Sequence, residues 1–272
     1  MKILVAVKQV AALDEDFTIR EDGRDVDPDF FVRDFNEWDD FSLEEAVKIK
    51  EAAAAGSAAA SAVEVVVVSV GPQDVDEALR RCLAKGADRA IRVWDDAIEG
   101  SDPIAIARVI AAVAKREAPG MLFAGVQSSD QAFASTGIAA AAFLEWPHAA
   151  VVSSLTYSPG ASSAVFRREL EGGLLHEMQI QCPAVLTIQL GINTPRYASL
   201  RSIKQAAAKP IEVLSLSDLA LSHADVGEPG SASRVRRMVI PDKGRAQLIE
   251  GDAKAQAARL AGIIRDYQGG RL

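Results

Sequence analysis

Cysteine is almost missing from this sequence: 272 residues hold only Cys82 and Cys182. That excludes a disulfide framework and an all-cysteine zinc or iron–sulfur site within the chain. The three histidines, His148, His176 and His223, lack the spacing of metal ligands. His148 follows Pro147 with no evident Ser or Cys partner, so no catalytic triad is expected. Basic residues are outnumbered, 30 Lys+Arg against 38 Asp+Glu. The net charge of −8 has the wrong sign for a nonspecific nucleic-acid binder. No apolar run approaches the roughly 20 residues of a membrane span. After Met1-Lys2 the apolar run Ile3–Val7 is too short for a signal core and meets Lys8-Gln9 at once. The expectation is a cytoplasmic protein without membrane insertion. Neither Gly-x-Gly-x-x-Gly after the first strand nor Gly-x-x-x-x-Gly-Lys-Ser/Thr occurs, which excludes a standard dinucleotide oxidoreductase or P-loop NTPase.

What is present is alternation. Ile3–Val7, Val63–Val70, Ala90–Trp94 and Met121–Val126 are apolar, partly β-branched runs, the pattern of strands buried on both faces. Helices are expected between them. Ser42-Leu43-Glu44-Glu45 reads as a capping box opening one helix, whose Ala-rich end meets a loose turn at Gly56-Ser57. Val75, Ala78, Leu79, Cys82 and Leu83 share one face of the next, ended by Gly86. Ser101-Asp102-Pro103 starts a third. Gln131–Phe143 is the fourth. Such alternation implies right-handed crossovers and a doubly wound, mostly parallel α/β sheet. Its ligands bind at the carboxyl ends of the strands, after Val7, Val70 and Val126. Beyond Tyr157, Ala164–Leu170 and Leu175–Ile180 flank Glu171-Gly172-Gly173-Leu174, a hairpin added to the sheet. Ala184–Leu190 is a further strand. From Ile192 strong periodicity fades until a last helix at about Ala253–Tyr267. Two regions are therefore expected: an α/β nucleotide-binding domain over 1–190, and an extended arm over 191–272.

Few residues carry chemistry. Gly125-Val126-Gln127-Ser128-Ser129-Asp130, running to Ser135-Thr136-Gly137, follows a buried strand and enters a helix. It reads either as a phosphate loop built on helix-start N–H groups, or as a polar loop with an Asp cap. Phe35-Asn36-Glu37-Trp38-Asp39-Asp40 is either an acid–base or metal cluster, or acidic residues favoured by a helix start. Arg80-Arg81, Arg167-Arg168 and Arg236-Arg237 read as solvated or ion-paired. Cys82 falls on a core face, and Cys182 at a strand start is structural.

Five segments then resemble the beta subunit of electron-transferring flavoproteins (ETF): Met1–Gln9, Leu43–Lys50, Leu83–Ala90, Pro183–Thr187 and Asn193-Thr194-Pro195-Arg196-Tyr197-Ala198-Ser199-Leu200. Phe35–Ser42, Gly125–Gln131 and Arg234–Met238 resemble the branch of methylotrophic bacteria that takes electrons from trimethylamine dehydrogenase. The resemblance implies an adenine nucleotide hydrolase-like, ETF-type sheet and an electron carrier without bond-making catalysis of its own. It implies an obligate heterodimer whose alpha subunit holds most of the FAD, while this chain buries one AMP, completes the FAD cleft and wraps the alpha subunit with its arm. Carried over by position, AMP contacts are Ala6, Asn36, Glu37, Trp38, Asp39, Val70, Gly125, Val126, Gln127, Ser128, Ser129, Asp130, Gln131, Ala134, Ser135 and Thr136. Mitochondrial members carry Asn-Gln-Thr where this chain has Ala134-Ser135-Thr136, and a Tyr near the flavin where it has Leu13. The family's docking Leu matches Leu200. Arg201 follows it in place of a Pro, pointing away from acyl-CoA dehydrogenases toward an amine dehydrogenase. Arg196, Tyr197, Leu200 and Arg201 are the implied partner-binding residues. The implied donor is an iron–sulfur flavoprotein, trimethylamine or dimethylamine dehydrogenase, and the acceptor an ETF-quinone oxidoreductase. Two alternatives stay open: a bifurcating ETF with a second FAD in place of AMP, and a non-redox nucleotide-binding protein.

Overall fold

A computed structural model describes residues 1–13, 17–55, 62–240, 244 and 246–269, without the side chains of Leu13 and Phe31. The expected turn at Gly56-Ser57 lies outside the described residues.

The four apolar runs are strands: β1 (Lys2–Ala6), β4 (Glu64–Val70), β5 (Arg89–Val93) and β6 (Met121–Gly125). Between β1 and β4 the chain forms an antiparallel ribbon, β2 (Gln9–Leu13) with β3 (Phe31–Phe35), and then helix α1 (Glu37–Ala55). Helices α2 (Asp76–Lys85) and α3 (Pro103–Glu117) link the next strands, and α4 (Thr136–Leu144) follows β6. Strand β7 (His148–Thr156) leads into the expected hairpin, β8 (Ser163–Glu169) and β9 (Leu175–Gln181), and the chain returns as β10 (Ala184–Ile188). Beyond it come α5 (Leu200–Ala208), β11 (Ile211–Leu214) and the single turn α6 (Gly227–Gly230). The main sheet runs β11-β5-β4-β1-β6-β10-β7-β8-β9. Pairing is parallel from β11 to β7 and antiparallel for β8 and β9.

Alternation along the strands divides the core between the two faces of the sheet. Ile3, Val5, Val65, Val67, Met121 and Phe123 pack with Leu43, Val47, Leu79 and Cys82 of α1 and α2. Leu4, Ala6, Val66, Val68, Leu122 and Ala124 pack with Val109, Val113, Ala140 and Leu144 of α3 and α4. Each fully buried Val, Leu or Ile contributes about 1.5–3 kcal/mol, so both faces must be covered. This is the doubly wound, mostly parallel α/β sheet with a hairpin addition.

Two helix starts differ from expectation. Helix α1 begins at Glu37, so Ser42 is no cap: it lies inside the helix, fully buried, and its hydroxyl donates to the Trp38 carbonyl at 3.1 Å. Helix α4 begins at Thr136 instead of Gln131, because Ala132 and Ala134 sit at φ 52, a left-handed backbone that cannot continue a right-handed helix. Strands β2, β3, β7 and β11 and helix α5 lie in segments where no element is expected. Strand β11 has four residues at the sheet edge with Val213 exposed, and α5 buries only Ala206.

The chain forms two compact units, Met1–Arg236 and Arg237–Leu272. The expected boundary at 190 falls inside the first, because β11 completes the sheet after α5. The second contains helix α7 (Ala253–Gln268), capped by Asp252. No helix among the described residues is long and apolar enough to cross a membrane.

Asp102 shows how the segment near Ser233 is held in the first unit. One carboxylate oxygen caps α3, accepting from the Ile104 and Ala105 N–H groups at 2.9 Å. The other accepts from the Ala232 and Ser233 N–H groups and the Ser233 hydroxyl at 3.0, 2.8 and 2.9 Å. Burial works to raise this carboxyl's pKa, but these donors outweigh it and hold it below the usual range. Asp102→Ala is expected to cost about 1–3 kcal/mol in chemical denaturation at neutral pH. The loss should shrink as pH falls and wild-type Asp102 becomes protonated. Equal stability of the two proteins would show that water replaces these contacts.

Candidate functional site

The sheet has its switch of direction beside β1. From β1 the chain builds outward through β4 and β5 on one side, then crosses back to β6 on the other. Ala6 pairs with Val68, Val5 with Phe123, and Gly125 with Ile188, so the carboxyl ends of β1, β4, β6 and β10 lie along one edge. A crevice at such an edge is where open α/β sheets bind ligands.

Asp39 closes this edge. Buried in the first turn of α1, it accepts the Lys8 N–H at 2.7 Å on one oxygen and the Gly125 N–H at 3.0 Å on the other. One carboxylate thus satisfies the donors that emerge from β1 and β6. Gly125 is required for the approach: a Cβ there would stand 2.5 Å from Asp39 Oδ1 and 2.6 Å from Trp38 Cβ. Burial pushes the Asp39 carboxyl up to about 7, against the opposing pull of its N–H donors.

Asn36 ties α1 to the loop after β6. Its amide donates to the Gln127 carbonyl at 2.9 Å, and its carbonyl oxygen accepts the Ser129 N–H at 3.2 Å. Lys8 reaches the same loop, with Nζ 2.7 Å from Asp130 Oδ1, 3.2 Å from Gln131 Oε1 and 3.3 Å from Ser128 Oγ. Burial raises the Asp130 pKa, but the Lys8 ammonium and Ser128 hydroxyl hold it below the usual carboxylate range. Trp38 Nε1 donates to Gln189 Oε1 at 3.1 Å, bringing in the segment after β10. The loop ends at Ser135, which begins α4 without any side-chain cap bond. The N–H groups of that helix start, with the Ser135 and Thr136 hydroxyls beside them, are the natural ligands of an anion. The left-handed Ala132 and Ala134 are the kind of backbone strain that gathers at functional loops.

A second cluster occupies the middle of α1. Asn193 Nδ2 donates to the Phe41 carbonyl at 3.0 Å and to Glu45 Oε2 at 2.9 Å. Arg196 forks onto Glu44 (Nε to Oε2 2.9 Å, Nη2 to Oε1 2.9 Å) and onto Glu51 (Nη1 to Oε1 2.5 Å, Nη2 to Oε2 2.8 Å). Next to it Tyr197 is 99% exposed, and Leu200, the first residue of α5, is 80% exposed.

Comparison with known proteins fits this arrangement. Residues 32–219 match the family described as "Electron transfer flavoprotein domain". The electron transfer flavoprotein subunit beta of Methylophilus methylotrophus is 67% identical over 269 residues, 99% of this chain and 100% of that protein. The chain belongs to the electron transfer flavoprotein beta-subunit family. The mitochondrial electron transfer flavoprotein subunit beta of Arabidopsis thaliana is 38% identical over 219 residues, and the electron transfer flavoprotein subunit beta of Bos taurus 34% over 221, each alignment covering 80% of this chain and 83% of the relative.

Within this beta subunit the structure brings together most of the residues singled out for a nucleotide. Asn36, Asp39, Gly125, Gln127, Ser128, Ser129, Asp130 and Gln131 are joined by the bonds above. Ala6 and Val70 lie at their strand ends, and the Val126 N–H donates to the Ile188 carbonyl. Ala134, Ser135 and Thr136 stand at the α4 start. Glu37 is exposed at the start of α1. The acidic cluster divides: Asp39 holds strand ends, while both Asp40 oxygens lie 2.6 Å from Lys85 Nζ. No group of His, Cys, Asp and Glu able to hold a metal occurs among the described residues. Leu13 ends β2, and its side chain lies outside the described residues. Of the implied partner-binding residues Tyr197, Leu200 and Arg201 are exposed, but Arg196 turns back onto α1 and pairs with Glu44 and Glu51. Sequence reasoning missed the roles of Lys8, Gln189, Glu44, Glu45 and Glu51. Only Lys8, just beyond β1, stands at a place the pattern flags.

Because Asp39 holds a proton to about pH 7 when folded and only to about pH 4 when unfolded, its contribution to stability declines as pH rises through that window. Asp39→Asn should cost about 1–3 kcal/mol, since one N–H then faces an amide donor. The advantage of wild type over the variant should shrink from pH 4.5 to 7.5 in denaturant titrations. A constant difference would mean that Asp39 is ionised throughout.

Proposed function

We propose that this chain is the beta subunit of a heterodimeric electron carrier acting in the cytoplasm. It binds AMP at the β1/β6 crevice, completes an FAD cleft with an alpha subunit, and docks an iron–sulfur flavoprotein dehydrogenase of the trimethylamine or dimethylamine type. Electrons pass from the bound FAD toward an ETF-quinone oxidoreductase. The observation that carries the nucleotide reading is the uncapped start of α4, with Ser135 and Thr136 at the end of a loop that Asn36 and Lys8 hold in place. A phosphate there would accept from backbone N–H groups and hydroxyls, without the amide side chains of mitochondrial members. Redox chemistry belongs to the flavin when it is bound. This chain's residues orient, exclude water and present a surface.

The docking reading rests on Tyr197 and Leu200, apolar side chains held in water beside Arg201. A small apolar anchor with a cationic neighbour suits a pocket rimmed by carboxylates. The arm beyond Arg236 is proposed to wrap the alpha subunit. Leu260, Ile264 and Tyr267 of α7 are exposed at a spacing that places them on one helical strip.

Protein co-expressed with its alpha subunit and denatured should release one FAD and one AMP per heterodimer. Two FAD and no AMP would replace the structural nucleotide with a second redox centre, as in a bifurcating ETF. No flavin at all would leave a nucleotide-binding protein outside redox chemistry. Leu200→Ala should slow FAD reduction by reduced trimethylamine dehydrogenase at least tenfold at subsaturating concentration, about 1.4 kcal/mol of docking energy. An unchanged rate would remove Leu200 as the anchor.

A further inference from the structure

The docking loop is bridged between two fixed points. At one end Asn193 and Arg196 are bonded to α1. At the other, Ser199 caps α5 by accepting the Ser202 N–H at 3.1 Å. Arg80 Nη1 then holds the far end of α5 through the Ala206 and Lys209 carbonyls at 2.8 and 2.7 Å. Between these points lie Tyr197 and Leu200, both in water.

Glu44 does more than neutralise Arg196. It also accepts the Arg196 backbone N–H, at 3.1 Å on Oε2, so a single carboxylate sets both the side chain and the main chain of that residue. Its side chain is 8% exposed, while the Glu51 side chain is 56% exposed. A buried ion pair contributes little to net stability once desolvation is counted, and in some proteins its role is to select one conformation. Here the selected conformation is that of the residue next to Tyr197. Only a planar guanidinium can fork onto two carboxylates in this way.

We infer that Glu44, assisted by Glu51, is a positioning residue for docking: through Arg196 it holds the 193–200 loop in the binding-competent shape before the partner arrives. This rests on the docking function proposed above. A loop that is competent only part of the time binds more weakly by that fraction, while electron transfer in the docked complex is unaffected.

The experiment uses the intact FAD-loaded heterodimer, with reduced trimethylamine dehydrogenase as donor, and compares Glu44→Gln, Glu51→Gln, Arg196→Lys and Leu200→Ala with wild type. Glu44→Gln and Arg196→Lys should each raise KM for the heterodimer roughly tenfold, with kcat within about twofold of wild type. Amide hydrogen exchange over residues 194–203 should quicken in the same variants. Arg196→Lys keeps the charge, so its failure to restore KM separates fork geometry from simple neutralisation. Glu51→Gln, at an exposed carboxylate, should shift both readouts the same way by a smaller factor, and it serves if Glu44→Gln fails to fold. If these three variants keep wild-type KM while Leu200→Ala raises it, docking stands and the positioning role is overturned. If Leu200→Ala also leaves KM unchanged, the docking function falls and the positioning role with it.

Discussion

A parallel sheet packed on both faces leaves its polar business to its edges. Where β1 and β6 end, two backbone N–H groups emerge side by side at the sheet's switch of direction, and Asp39 accepts both. Left without a partner inside the fold, either donor would cost about 1–3 kcal/mol. The Asp39 contact fixes how close the first turn of α1 comes to β6, and therefore why residue 125 has no side chain. With that turn in place, Asn36 can act as two peptide groups toward the loop after β6, and Lys8 can span to Asp130.

Helix α1 then serves two regions at once. Its first turn bonds the strand ends and the loop after β6, and its middle carries Glu44, Glu45 and Glu51, which hold the 193–196 segment. A helix is stiff along its axis, so the loop after β6 and the exposed Tyr197 and Leu200 sit in a set relation. An electron carrier needs this, since transfer depends on the distance a docked partner keeps from the cofactor. The acidic composition of α1 matches this use: buried carboxylates there bind other segments of the chain.

Legibility followed local physics. The buried strands could be read because a strand covered on both faces must be apolar at nearly every position. Helix α2 could be read because Val75, Ala78, Leu79, Cys82 and Leu83 mark one face and Gly86, at φ 123, ends it. The start of α3 at Pro103 was visible in Asp102. The start of α1 was misplaced because Ser42 and Glu45 mimic a capping box, while the residues that set the true start bond to segments far along the chain. The start of α4 was misplaced because alanine is a good helix former, and nothing local shows that Ala132 and Ala134 adopt a left-handed backbone. Strand β11 and helix α5 were missed because each buries so little of itself.

The sequence by itself determined the fold class, the central strands with helices between them, the loops that line the carboxyl edge and, by resemblance, the family. These follow from periodicity and from short motifs, which act over one or two turns of chain. Only the tertiary structure decided which carboxylates are structural, that Asp39 closes the strand ends, that Arg196 turns inward onto Glu44 and Glu51, and that Tyr197 and Leu200 stay in water. Such assignments join residues from 31 to 152 positions apart. Their physical cause is burial and charge pairing, which no stretch of sequence carries until the chain has closed on itself.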